Sequence, residues 1–85
     1  MFFMYILKSS KDKDLYIGST SDLRKRLKEH NSGQVYSTKD RRPFKIAYYE
    51  AYAAESEARQ REHNLKLHGR ARMQLFKRIK ESLKT

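Results

Sequence analysis

The sequence predicts an α+β fold, in which a small three-stranded antiparallel sheet is flanked by three helices in the order β-β-α-β-α-α. Runs of aromatic and aliphatic residues without helix breakers are typical of strands, and they occupy residues 2–7, 15–19 and 44–50. Segments with helical spacing or high helix propensity lie between and after them, at about 21–31, 54–68 and 70–83. The 85 residues suffice for one small domain, which we expect to span residues 1–85.

The first two strands are predicted to form a β-hairpin around the polar loop 8–14. Side chains alternate between the two faces of a strand, so Tyr5 should face away from Met4 and Ile6. In the second strand, Tyr16 should likewise face away from its two apolar neighbours. We therefore expect Tyr5 and Tyr16 on neighbouring strands.

The first helix carries polar groups on the side that should face the core. Leu23, Leu27 and His30 follow the i, i+4, i+7 spacing of a buried stripe, and Arg26 lies at the edge of that stripe. Taken singly, Arg26 could be solvated and His30 could interact with the C-terminal end of the helix dipole. Together with Tyr16 they can place a phenol, a guanidinium and an imidazole close to one another.

Helix ends are marked by capping residues. Either Thr20 or Ser21 is expected to cap the first helix, and Gly33 is expected to follow its last turn in a left-handed conformation. We expect Gly69 to end the second helix. The apolar spacing of the third helix predicts a buried stripe, made of Met73, Phe76, Ile79 and Leu83.

The second helix has a carboxylate on its apolar side. Glu62 fills the gap between Ala58 and Leu65, at positions i+4 and i−3 from them. Desolvation of a carboxylate is unfavourable unless a cation or a metal compensates for it. Glu62 is therefore the most informative acidic residue, and its alternative role is an i, i+4 ion pair with Lys66.

The net charge of +10 and the pI near 10.0 favour a polyanionic partner, nucleic acid first. Alternatives are a basic surface that maintains solubility, or a ribosomal or anionic-membrane contact. The cations best placed as phosphate contacts are Lys39, Arg41, Arg42, Arg59, Lys66, Arg70 and Arg72. Tyr36 could stack on a base or pack on its own loop.

The composition also excludes several classes of protein. The chain has no cysteine, which rules out disulfides and thiolate metal sites. The apolar N-terminal stretch is too short for a signal peptide or a membrane span. We therefore expect a soluble cytoplasmic protein without a membrane partner.

The order of these motifs resembles the GIY-YIG nuclease superfamily, most closely its small single-domain bacterial members. The resemblance rests first on Phe3-Met4-Tyr5, Tyr16-Ile17-Gly18, Arg26 and Glu62. It extends through His30-Asn31-Ser32-Gly33, Arg41-Arg42-Pro43, Tyr48-Tyr49-Glu50 and Ser56-Glu57-Ala58. The second motif is intact, whereas the first has lost its glycine and isoleucine and keeps only its tyrosine.

The resemblance implies a metal-dependent endonuclease that hydrolyses DNA phosphodiester bonds, in repair or in processing of irregular structures. It implies one divalent cation, Mg²⁺ with Mn²⁺ as the alternative, and Glu62 as the only protein ligand. The catalytic residues that it implies are Tyr5, Tyr16, Arg26, His30 and Glu62. Many members carry an asparagine near the start of the last helix, where this chain offers only Arg70, Arg72 or Gln74.

The chemistry of these residues suits phosphodiester hydrolysis. The fork of Arg26 can bind two phosphate oxygens, and a carboxylate with several waters is the usual way in which proteins hold Mg²⁺. Either tyrosine could be the general base. The alternative function is a catalytically inactive nucleic-acid-binding module of the same fold, and an RNA-associated accessory protein is a third hypothesis.

Overall fold

The computed structural model describes all 85 residues. Its strands are β1 (Phe2–Ser9), β2 (Leu15–Thr20) and β3 (Phe44–Tyr52). Its α-helices are α1 (Leu23–Asn31), α2 (Glu55–Leu67), α3 (Gly69–Arg78) and α4 (Lys80–Lys84), and a short 3₁₀ turn covers Lys39–Arg41. The predicted α+β fold with a three-stranded antiparallel sheet is confirmed. None of the helices has both the length and the apolar character that a membrane crossing requires.

The sheet has the strand order β2-β1-β3, with both pairs antiparallel. Because β1 is the middle strand, Tyr5 lies between two partners, Gly18 on β2 and Tyr49 on β3. The pairing of β1 with β3 shifts in register between Ile6 and Leu7. The first two strands form the predicted hairpin, and β2 is left at one edge of the sheet.

The two faces of the sheet pack against different helices. On one face Met4, Ile6 and Ile17 form a cluster with Leu65 of α2 and Leu75 of α3. The other face buries a second cluster against the leucines of α1, formed by Tyr5, Leu7, Phe44, Leu23 and Leu27. The alternation that we predicted for β1 and β2 is therefore correct, and it sends Tyr5 and Tyr16 to the side covered by α1.

The predicted third helix is wrong in its continuity and in one of its four predicted core residues. It is interrupted at Ile79, whose φ of −111° and ψ of 23° lie outside the helical region, and α4 begins at the next residue. Met73 is 66% exposed, whereas Leu75 is only 3% exposed. Ala71, Leu75 and Ile79 follow the spacing i, i+4, i+8 and define the buried side of the helix, so Met73 lies outside it. Leu75 is buried and, as predicted, Phe76, Ile79 and Leu83 pack partly against the core.

Two predicted helix ends are also wrong. The N-cap of α1 is Asp22, whose carboxylate accepts a 3.0 Å hydrogen bond from the backbone N–H of Lys25. The hydroxyl of Thr20 instead accepts from the backbone N–H of Asp22, which fixes the turn one residue earlier. Gly69 begins α3 rather than ending α2. Gly33 does follow α1 with a left-handed φ of 82°, as predicted.

Candidate active site

A chain of three buried side chains joins β1 to α1 and to the loop that follows it. The phenol oxygen of Tyr5 lies 2.9 Å from Nε2 of His30. The other ring nitrogen, Nδ1, lies 2.7 Å from the hydroxyl oxygen of Thr38. Buried polar groups need such partners, and here each group satisfies the next. The sequence did not reveal Thr38, because nothing in this loop distinguishes its hydroxyl group from that of the neighbouring Ser37.

Both ring systems are uncharged at neutral pH. Burial, reinforced by the nearby Arg26 guanidinium, lowers the pKa of His30 to about 4. Burial raises the pKa of Tyr5 to about 12, although Arg26 acts in the opposite direction. A neutral imidazole has one donor and one acceptor. The hydroxyl of Thr38 can donate to the Val35 carbonyl at 3.4 Å, so we assign Nδ1 as donor to Thr38 and Nε2 as acceptor from Tyr5.

Tyr16 lies beside this chain on the same face of the sheet. Its ring centroid is 5.1 Å from that of His30 and 6.5 Å from that of Tyr5. The ammonium group of Lys66 lies 5.5 Å from the centre of the Tyr16 ring. The structure therefore brings the two candidate tyrosines together around His30, as the alternation predicts.

Gly18 makes room for the ring of Tyr5. A β-carbon added to Gly18 would overlap the hydroxyl oxygen and Cζ of Tyr5. The glycine is thus required by the close approach of a side chain from the neighbouring strand. The last residue of the Tyr16-Ile17-Gly18 motif consequently positions the tyrosine of the first motif.

Arg26 lies at the open edge of the site. Its guanidinium pairs with Glu29 at 3.0 Å, contacts the phenol of Tyr5, and keeps 36% of its side chain exposed. It borders a shallow polar cleft of about 350 Å³ whose other lining residues are Ser19, Thr20, Ser21, Asp22, Lys25 and Glu29. A phosphate in this cleft could reach the guanidinium without displacing any buried group.

Glu62 lies on α2, next to the edge strand β2. One carboxylate oxygen accepts a 2.6 Å hydrogen bond from the Ser19 hydroxyl, and the other lies 2.7 Å from Nζ of Lys66. Burial alone would raise the pKa of Glu62, but the hydrogen bonds from Lys66 and Ser19 hold this pKa below its ordinary value. The carboxylate is therefore ionised at neutral pH. Sequence reasoning did not identify Ser19.

The metal ligands that the protein offers around Glu62 fit only one kind of metal site. The protein has no group of three or more His, Cys, Asp or Glu side chains that could enclose an ion. A single ionised carboxylate fits Mg²⁺, which keeps several waters and shares its remaining positions with a substrate phosphate. Lys66 now occupies one oxygen of Glu62, so a metal at that oxygen must displace the ammonium group.

Several of the predicted phosphate contacts have structural partners. Arg41 donates to Asp12 at 2.7 Å, and Arg42 donates to the backbone carbonyl of Lys39 at 2.7 Å. Arg72 donates to the carbonyl of Leu65 at 3.0 Å, at the end of α2. These three guanidinium groups stabilise loops and a helix end, so they have fewer donors to offer a phosphate.

The remaining predicted contacts are more accessible. Tyr36 is 84% exposed, and the ammonium group of Lys39 lies 4.9 Å from its ring centre. Arg59 is exposed and pairs only with Glu55, at 3.3 Å. Arg70 is exposed at the start of α3. These residues keep the availability that a phosphate or base contact requires.

Comparison with known proteins places this geometry in a family. The GIY-YIG catalytic domain family matches residues 1–76. A UPF0213 protein from Bacillus pumilus (strain SAFR-032) is 41% identical over 75 residues, which cover 87% of this chain and 76% of the relative. A UPF0213 protein from Staphylococcus aureus (strain Mu3 / ATCC 700698) is 44% identical over 69 residues, with coverages of 80% and 83%.

A solved structure agrees. The solution NMR structure of the UPF0213 protein BH0048 from Bacillus halodurans superposes with a TM-score of 0.55 and 34% identity, and the match covers 91% of this chain and 84% of that one. The similarity thus extends over sequence and fold, and the family match includes every residue of the candidate site. This chain belongs to the GIY-YIG catalytic domain family, a nuclease-type family.

Proposed function

We propose that this protein is a metal-dependent endonuclease that hydrolyses phosphodiester bonds in DNA. The observation that carries the proposal is the convergence of Tyr5, Tyr16 and Arg26 around His30. Glu62 belongs to the same site, because Lys66 contacts both its carboxylate and the ring of Tyr16. The arrangement combines a phosphate-binding cation, proton-transfer groups and one ionised carboxylate.

Arg26 binds the scissile phosphate. Its guanidinium is always charged, is planar, and is fixed on a helix at the border of the polar cleft. Two of its N–H groups can donate to two phosphate oxygens, and its charge stabilises the charge that develops during attack. The ion pair with Glu29 holds the guanidinium in this orientation.

Glu62 holds the divalent cation. A bound Mg²⁺ or Mn²⁺ would neutralise charge on the phosphate and on the leaving oxygen. The contribution of the chain is an ionised carboxylate, oriented by the hydroxyl of Ser19. No other acidic side chain joins it, which agrees with an ion that is held mainly by waters and substrate.

Tyr5 and His30 move the proton of the attacking water. A free tyrosinate is unfavourable at a buried phenol whose pKa is raised to about 12. In a relay, Tyr5 accepts the proton of the water while its own proton passes to Nε2 of His30, so no free tyrosinate forms. The negative charge of a bound phosphate favours the transient imidazolium. Tyr16 orients the water.

The protein recognises the structure of its DNA substrate rather than a long base sequence. The net charge of +10 supports binding to phosphates, which carries little sequence information. A domain of this size has too little surface for a long recognition site. We therefore place the activity in repair or processing of branched, nicked or otherwise irregular DNA.

The test is cleavage of plasmid, single-stranded and branched DNA with Mg²⁺, Mn²⁺ or EDTA. Wild-type protein should cut only with metal, and Arg26→Ala and Glu62→Gln should abolish cutting. Arg24→Ala and Glu81→Gln are matched controls, since both residues are exposed and away from the site. The controls should cut like the wild type.

The alternative function is a nucleic-acid-binding module without turnover, and the degenerate first motif favours it. Salt-dependent DNA binding without cleavage of any substrate, in every metal, would overturn the endonuclease proposal and support the module. Preferential binding of RNA in competition at fixed salt would instead support an RNA-associated role.

A further inference from the structure

Phe3 and Tyr49 form an aromatic pair that lies outside the apolar core. Their ring centroids are 5.8 Å apart, with the planes at 73° in an edge-to-face arrangement. Tyr49 is 52% exposed and Phe3 is half-buried. Neither ring belongs to the two apolar clusters that pack the sheet against the helices. We call this pair the aromatic platform.

The platform adjoins the candidate active site. Tyr49 is the direct partner of Tyr5 across the sheet, and Phe3 precedes Tyr5 by two residues on the same face of β1. The leucines of α1 cover the part of this face that carries Tyr5, Leu7 and Phe44. The phenol of Tyr5 reaches towards Gly18 on β2, whereas the platform lies towards β3, outside the cover of α1, where Tyr49 is exposed.

The chemistry of the platform suits a nucleobase. Every base offers a π-face, so an exposed ring binds an unstacked base with little sequence preference. Bases inside a duplex are already stacked and paired, so the platform can accept only an unpaired one. The charge of +10 attracts the strand, and Arg26, which contacts the phenol of Tyr5, would hold a phosphate of the same strand.

We propose that the aromatic platform of Phe3 and Tyr49 is a binding subsite for an unpaired nucleobase near the cleaved phosphate, on the same face of the sheet. The inference rests on the proposed endonuclease function and specifies its substrate as a strand with an unpaired nucleotide at the cut. In this chain Phe3 stands where the first family motif has its glycine, so an aromatic ring is present where that motif has no side chain.

The test measures binding in EDTA to a flapped duplex and to the fully paired duplex of the same sequence. The fluorescent base 2-aminopurine is placed at successive unpaired positions of the flap. Wild-type protein should quench at least one of these positions by stacking. Tyr49→Leu should remove the quenching and weaken flap binding about 5- to 150-fold, with paired duplex nearly unchanged.

Met73→Ala is the matched control, because Met73 is also a large exposed apolar residue but lies on α3. It should keep the quenching. Tyr49→Phe, which keeps the ring, should bind like the wild type, and Tyr49→Thr gives a second ring deletion with high strand propensity if Tyr49→Leu folds poorly.

Equal losses on flapped and paired DNA, or no loss on either, would overturn the subsite. If wild-type protein cuts DNA with metal but Tyr49→Leu binds and cuts every substrate normally, the subsite fails while the endonuclease proposal stands. If the wild type neither binds nor cuts any DNA, the endonuclease proposal fails and the subsite fails with it.

Discussion

The 2.9 Å contact between the phenol oxygen of Tyr5 and Nε2 of His30 ties the middle strand of the sheet to the last turn of α1. It also gives the phenolic proton a defined acceptor. Tyr16 lies against the same imidazole but receives no hydrogen bond from it. The two tyrosines are therefore not equivalent, and their removal should have different consequences.

Tyr5→Phe should lower kcat about 100- to 10,000-fold, because it removes the group that accepts the proton of the water. The Kd for DNA should change little, since the phenol is buried. Tyr16→Phe should lower kcat less. Single-turnover cleavage and DNA binding in EDTA separate the two quantities. A larger loss of kcat in Tyr16→Phe would assign proton transfer to Tyr16 instead.

The pKa of His30, lowered to about 4, makes stability depend on pH. In the unfolded chain an imidazole titrates near 6.5, so between about pH 6.5 and 4 the unfolded state binds more protons than the folded state. The stability that neutral His30 contributes is complete above about pH 6.5 and is lost as the pH falls towards 4. The loss is about 3 kcal/mol.

His30→Asn lacks this titration. The difference in unfolding free energy between wild type and His30→Asn should therefore shrink by about 3 kcal/mol from neutral pH to about pH 4, in urea titrations. His63→Asn, which alters an exposed histidine, is the control and should follow the wild type at each pH. A constant difference for His30→Asn would mean that His30 titrates normally.

Gly18→Ala should displace the ring of Tyr5. The added methyl group overlaps the phenol, so either the ring or the strand must move, at a cost of about 1–3 kcal/mol in stability. Activity should fall even where the protein is folded. Gly69→Ala is the control, since the atom nearest to its added β-carbon is Nη2 of Arg72 at 3.6 Å. Thermal unfolding and cleavage rates would show both effects.

The part of this architecture that the sequence predicts is the part that the regular spacing of side chains in strands and helices determines. The period of two along β1 and β2 determines which face Tyr5 and Tyr16 occupy, and the helical period places His30 and Arg26 towards the same side. Glu62 was recognised because a carboxylate interrupts an otherwise apolar stripe. Each of these inferences uses only neighbours within one element, and the structure agrees with each placement.

Contacts between distant segments were not predictable in this way. Thr38 binds His30 because of the path of a loop, which has no period. Arg41 was expected to face phosphate but pairs with Asp12, which is 29 residues away. The interruption of the last helix at Ile79 has no sequence signal, because neither glycine nor proline lies there.

A second polar network stabilises the opposite face of the sheet. Glu50 accepts hydrogen bonds from Tyr48 at 2.8 Å, from Tyr52 at 2.6 Å and from Arg61 at 2.9 Å. Glu50→Gln should lower the unfolding free energy by about 1–3 kcal/mol, because it leaves Arg61 without its charged partner. Cleavage per folded molecule should not change, since the network contacts no candidate site residue.

Glu81→Gln provides the comparison for Glu50→Gln, because Glu81 pairs with Lys84 on the exposed surface. Its effect on stability should be within about 0.5 kcal/mol. Chemical unfolding and cleavage assays on the same preparations test both statements. A selective loss of cleavage in folded Glu50→Gln would connect this network to the site.

Lys66 competes with a metal for Glu62. Its ammonium group lies 2.7 Å from one carboxylate oxygen, so a cation that binds this oxygen must break an existing ion pair. Lys66 is partly exposed, and such pairs are worth up to about 1 kcal/mol. Lys66→Gln should therefore tighten Mn²⁺ binding by up to about fivefold, measured without DNA by electron paramagnetic resonance.

Two further variants make this measurement specific. Lys84→Gln removes an ammonium group that pairs with Glu81 on α4 rather than with Glu62, so it should leave Mn²⁺ binding unchanged. Glu62→Gln should remove the binding in both the wild-type and the Lys66→Gln background. If Lys66→Gln instead weakens Mn²⁺ binding, then Lys66 supports the site, by orienting the carboxylate rather than by occupying the position of the metal.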